Sequence, residues 1–100
     1  MKTLDYCVKR NGDFEPFDKK IITSAVMKAF EKSGEGNRFL AVNITESVVD
    51  TIIRFYPYDS PHVEDIQDIV EDTLIGHNFK LSAKEYIRYS HERNKNREDS

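Results

Sequence analysis

Apolar residues recur every three or four positions over most of the chain, and that spacing predicts helices. Ile22, Ala25, Val26, Ala29 and Phe30 mark a first stripe. Ile44, Val48, Ile52, Phe55 and Tyr56 mark a second, widened by Val49 and Ile53 as a helix buried on more than one side requires. Ile66, Ile69, Val70, Thr73 and Leu74 mark a third; Ala83, Tyr86, Ile87 and Ser90 mark a fourth. The opening stretch breaks the rhythm. There Asn11-Gly12 lies between short apolar pieces, and a dipeptide that tolerates positive φ signals a β-hairpin. A two-residue loop pairs Arg10 with Asp13; a three-residue loop with a bulge brings Lys9 opposite Glu15. Both registers fit.

Boundary residues sharpen the helices. Asp18 is a plausible N-cap, with Phe17 and Ile22 at staple spacing. Ser33 and Gly34 end the first helix, and "GEGN" follows as a joint. The second helix covers much of residues 39 to 56, with Thr45 as an alternative late cap and Pro57 as its stop. Ser60 caps the third, with Pro61 at its first position, and Gly76 to Asn78 close it. Ser82 and Glu85 have capping-box spacing for the fourth, with Leu81 and Tyr86 as its staple. The polar tail from Glu92 is either a frayed helix end or the lead into a longer polypeptide. Two strands are marginal alone and must pack on the helices. The expectation is an α+β fold in one domain, residues 1–100: an N-terminal β-hairpin packed on a bundle of about four helices.

Composition narrows the function. The chain has 100 residues, 38% hydrophobic and 33% charged, with a formal charge of -3. That length suits one domain, and the charge argues against general coating of nucleic acid. The single cysteine, Cys7, excludes an internal disulfide and a cysteine metal cluster, and reads as a small apolar strand residue. His62, His77 and His91 stand in three separate regions, so no nucleophile–base–orienter set is suggested. No apolar run is long enough to span a membrane, and a secretory signal is not evident, so a cytoplasmic location is expected.

Phosphate binding is the chemistry best supported by residue type. The chain lacks GxxxxGK[ST] and GxGxxG. Yet Lys9 and Arg10 fall on the first strand, and Lys19 and Lys20 fall in the first turn of the first helix, where cations oppose the helix dipole. This cluster is either solvated surface or one wall of an anion site. Arg88, Arg93, Lys95 and Arg97 form a second basic group, either a salt-laced helix end or a wall closing on phosphates or a partner. Tyr56, Tyr58, Tyr86 and Tyr89 are aromatic candidates for the core or for stacking on a base.

Four pieces, in order, carry a resemblance over nearly the whole chain: "VKRNGDFEPFDKKI", "SAVMKAF", "VEDIQDIVEDTL" and "SAKEYIRYSHERNKNRE". The chain resembles the ATP-cone domain, the small nucleotide-binding regulatory module of ribonucleotide reductases and of the bacterial repressor that controls their genes. The resemblance implies ATP or dATP as allosteric ligand, with Mg2+ accompanying the nucleotide. It places Val8, Lys9 and Arg10 at the border of the nucleotide, Glu15 on the adenosine side and Lys20 at the phosphates. Val63 to Gln67 would form another wall, and Arg88 and Arg93 would approach this nucleotide or a second one. Val63 is apolar where some reductase cones place threonine, so one hydrogen bond available there is missing here. The resemblance further implies self-association or docking to reductase subunits, no membrane and no catalysis by the domain itself. The repressor's zinc ribbon does not precede Cys7, which counts against nucleic acid as a partner. The wording is similar to the anaerobic, glycyl-radical branch of ribonucleoside-triphosphate reductases. Two alternatives are an interaction module without nucleotide sensing and a stand-alone transcription-regulatory cone.

Overall fold

The computed structural model describes residues 4–98, with side chains described to residue 92. Two short strands, β1 (Tyr6–Val8) and β2 (Phe14–Pro16), precede four helices: α1 (Lys19–Ser33), α2 (Arg38–Phe55), α3 (Val63–Gly76) and α4 (Lys80–Glu98). This is the expected hairpin on a four-helix bundle. Each helix packs on its sequence neighbours, and α4 closes the ring on α1. Thus α1 and α3 stand at opposite corners, and so do α2 and α4. The core runs between them through Val26, Phe30, Ile44, Val48, Ile52, Val70 and Leu74, all essentially inaccessible to solvent.

The hairpin takes neither expected register. Cys7 opposes Glu15 and Val8 opposes Phe14, while the Lys9 N–H donates to Asp13 O at 2.8 Å. The loop therefore holds Arg10, Asn11 and Gly12. The Gly12 N–H closes a turn on Lys9 O at 2.9 Å. Of these three loop residues only Gly12, at φ 92°, uses the left-handed region. The dipeptide thus works as a turn followed by a glycine bulge, which inserts one residue relative to a two-residue loop. The other edge of β1 is also used: Val8 N–H donates to Pro61 O at 2.8 Å, and Val8 bridges His62 in parallel. That pairing ties the hairpin to the entrance of α3.

Asp18 caps α1, accepting from Lys20 N–H at 3.0 Å, and Gly34 ends it at φ 75°. Three other caps differ from expectation. Asn37, not Thr45, caps α2 and accepts from Leu40 N–H at 2.9 Å. Thr45 is buried in the middle of that helix, donating to Ala41 O at 2.8 Å and hydrogen-bonded to Thr23. His62, not Ser60, precedes α3, because Pro61 is buried with its carbonyl committed to β1. Ser82 lies inside the first turn of α4 and is fully buried. Its hydroxyl and its N–H both donate to Glu35 Oε1 at 2.7 Å, so the cap arrives from the α1–α2 joint. Phe55 closes the α2 stripe in sequence, but it is 66% exposed because the helix leaves the core there.

Candidate functional site

A cleft opens where the hairpin meets the bundle. Glu15 and Pro16 form its strand wall, with Cys7 beneath. Asp18, Ile21, Ile22 and Ala25 come from the start of α1, and Val63, Ile66 and Gln67 from the start of α3. Tyr86, Tyr89 and Ser90 close it from α4. It is an open cleft, with about 580 Å³ of empty space when the solvent at its mouth is included.

Each wall is held by a local device. The Asp18 cap fixes the first turn of α1, so Ile21 and Ala25, four residues apart, share a face and Ile22 flanks them on the buried side. The Val8–Pro61 pairing fixes the first turn of α3 against β1. Asp65 tightens that turn by accepting from His62 N–H at 3.3 Å. Tyr56 leans on the same carboxylate: burial pushes its phenol above the usual range, and the hydrogen bond with Asp65 and the charges of Asp65 and Asp68 add to the rise. Glu35 anchors the start of α4. Burial opposes ionisation of Glu35, but hydrogen bonds from the Ser82 hydroxyl, Ser82 N–H and Leu81 N–H outweigh it and hold the carboxyl below its usual value.

The floor is apolar and partly aromatic, with carboxylates at Glu15 and Asp18 and an amide at Gln67. Such a site suits a flat heterocycle whose amino edge meets acceptors. No lysine or arginine is among its described lining residues, so an anionic part of a ligand must lie at the rim. The turn after β1 reaches the head of α3, whose Val63, Ile66 and Gln67 line the cleft. Arg10 Nε lies 3.3 Å from Glu64 Oε1, across the entrance to α3, and both side chains are well exposed. An exposed pair of this kind contributes only about 0–1 kcal/mol, so a stronger anion can displace the carboxylate.

The expected site residues separate into groups. Glu15, Val63 and Gln67 line the cleft together. Val8, Lys9 and Arg10 are not among the residues that line it: Val8 bridges His62 and Arg10 pairs with Glu64, both at the head of α3, and Lys9 between them in sequence is half-buried. Lys20 does not line the cleft. It faces a second groove, between α1 and α2, and the α1 residue that lines the cleft is Ile21. Consecutive helical residues point about 100° apart, which puts them on different faces. Arg88 faces a third groove, between α1 and α4, with Nη1 3.5 Å from Glu85 Oε1. Arg93 belongs to α4, but its side chain lies outside the described residues, as do those of Lys95 and Arg97. Asp18, Ile21 and Ser90 escaped sequence reasoning, which read Asp18 only as a cap. Tyr86 and Tyr89 carried a usable signal, two tyrosines at i,i+3 on a helix of otherwise polar character.

Comparison with known proteins gives three findings. The family model described as the ATP cone domain matches residues 5–95. A vitamin B12-dependent ribonucleoside-diphosphate reductase of Thermoplasma acidophilum is 38% identical over 97 residues, covering 92% of this chain and 12% of that protein. The alpha subunit of a ribonucleoside-diphosphate reductase of Chlamydia muridarum is 31% identical over 103 residues, covering 93% of this chain and 10% of that protein. The chain therefore spans about a tenth of the length of these relatives.

Proposed function

The chain belongs to the ATP cone domain family, a family of regulatory rather than catalytic domains, and on that premise we propose that it senses ATP and dATP in the hairpin cleft on behalf of a ribonucleotide reductase. The observation that carries the reading is the division of labour around the cleft. An apolar, tyrosine-walled floor with acceptors at Glu15 and Asp18 suits adenine. Arg10 pairs with Glu64 in the first turn of α3, and in this reading it and its neighbour Lys9 would supply the cations that meet phosphates near the positive end of the α3 dipole. In this reading the resemblance-based role of Lys20 passes to these two residues. Mg2+ would enter on the triphosphate, since no group of three His, Cys, Asp or Glu able to hold a metal occurs among the described residues.

Discrimination between ATP and dATP rests on one sugar hydroxyl. A hydrogen bond made or lost there is worth about 1–3 kcal/mol, enough to bias two competing assemblies. The response is a change in self-association or in docking to reductase subunits. The reductase setting rests on both relatives being ribonucleoside-diphosphate reductases; neither is named as a glycyl-radical enzyme. Titration calorimetry with ATP, dATP and GTP tests the sensing role. Saturable binding of ATP and dATP, with GTP weaker, is expected. Equal binding of all three, or none, overturns it.

A further inference from the structure

The α1–α2 groove is basic. Lys19, Lys20, Lys28 and Arg38 line it around apolar Met27 and Val42, and Phe39 stands next to Arg38 at 73% exposed. Two carboxylates, Glu31 and Glu46, share the groove, and Glu46 is engaged by Lys19 at 3.1 Å. Neither α1 nor α2 has an acidic residue in its first turn, so the positive helix ends add to this field. The opposite edge of the bundle, between α3 and α4, carries the reverse charge. Glu64, Asp68 and Glu71 line a groove there with no lysine or arginine among its described lining residues. Asp72 and the 44%-exposed Ile75 continue the same stripe along α3.

We propose that the basic α1–α2 groove receives the acidic α3 stripe of a second copy of this chain, head to tail. The two surfaces match in charge, and each offers exposed apolar residues, Val42 and Phe39 on one and Ile75 on the other. They lie on opposite edges of one molecule, so a single copy cannot satisfy itself. Opposite charges on remote faces give a heterologous contact, which builds chains or rings rather than a two-fold dimer. The contact is steered by charge and weakens as salt rises. This inference names surfaces for the self-association in the reading above, but it does not depend on nucleotide binding, because both grooves lie outside the lining of the hairpin cleft except where Gln67 and α4 are shared.

Two double variants test it. Lys19→Glu with Arg38→Glu reverses the basic groove, and Asp68→Lys with Asp72→Lys reverses the acidic stripe. All four positions are exposed, and the new glutamates stand at helix starts, where negative charge is favourable; circular dichroism confirms the folds. Sedimentation velocity without nucleotide, at low and high salt, gives the readout. The unaltered chain is expected to self-associate at low salt, and each double variant is expected to lose at least about tenfold in association. An equimolar mixture of the two variants is expected to recover association, since each retains the face the other lacks. A monomeric unaltered chain at low salt, undiminished association of either variant, or a mixture that stays monomeric overturns the proposal. Calorimetry with ATP on the same variants reports separately on the nucleotide reading, whose failure leaves this result unchanged.

Discussion

Lys20 and Ile21 are adjacent in sequence and face different grooves. In the proposed reading, that one-residue difference separates a side chain in the nucleotide cleft from one in the α1–α2 groove. A charge-assisted phosphate contact is worth about 1.5–3 kcal/mol, so Arg10→Ala or Lys9→Ala should lower ATP affinity by roughly tenfold or more. Lys20→Ala should change it by less than about twofold, as a surface substitution away from the site does. Glu64→Gln should raise affinity, because it removes the carboxylate that competes for Arg10. Calorimetry on the four variants ranks them directly. A different constraint falls on Gly36, where a methyl group would come 2.7 Å from three ring carbons of buried Phe30. Gly36→Ala should cost about 1–3 kcal/mol through overpacking, read as a lower urea midpoint with unchanged slope. Asp18 and Gly34 were legible in sequence because their partners sit within a few residues. The facing of Lys20 was not, because residue type carries the charge but only the helix phase carries its direction.

Elements are joined here by caps that cross between them. The start of α4 is held by Glu35, 47 residues earlier in the chain, and Ser33 completes the cluster through a 2.7 Å hydrogen bond to the Ser82 hydroxyl. Ser82 and Glu85 have the spacing of a local capping box, which is why sequence reading placed the helix start three residues late. The structure spends Ser82 on a tertiary partner that no local pattern reveals. The entrance to α3 follows the same logic: Ser60-Pro61 reads as a cap and first position, yet β1 recruits the Pro61 carbonyl. Stripe periodicity, by contrast, depends only on the chain itself, and it located all four helices. The Glu35 latch has a pH signature. Its carboxyl is depressed in the folded state, so the unfolded chain takes up protons first, and the stabilisation is present above the ordinary value of 4.5 and lost as pH falls through the lower folded value. Urea midpoints measured against pH should therefore fall more steeply below 4.5 for the unaltered chain than for Glu35→Gln, which should be less stable near neutrality.

At the scale of the whole molecule, the hairpin and the head of α3 are joined into one edge of the bundle, the edge proposed to bind nucleotide. Fold class was readable from the apolar pattern, whereas the cleft was not, because it draws on β2, α1, α3 and α4, regions that come together only on folding. A ligand that binds this edge of the native state and not the unfolded chain raises the melting temperature with its concentration, and ATP should do so more than GTP. The location of binding is the central claim, and amide chemical-shift mapping by NMR during an ATP titration tests it most directly. The account expects saturable shifts at Glu15, Gln67, Tyr86 and Tyr89, together with Lys9 and Arg10, and little change at Lys20, Arg38 and Glu46. Shifts concentrated in the α1–α2 groove, with the hairpin cleft unmoved, would contradict it.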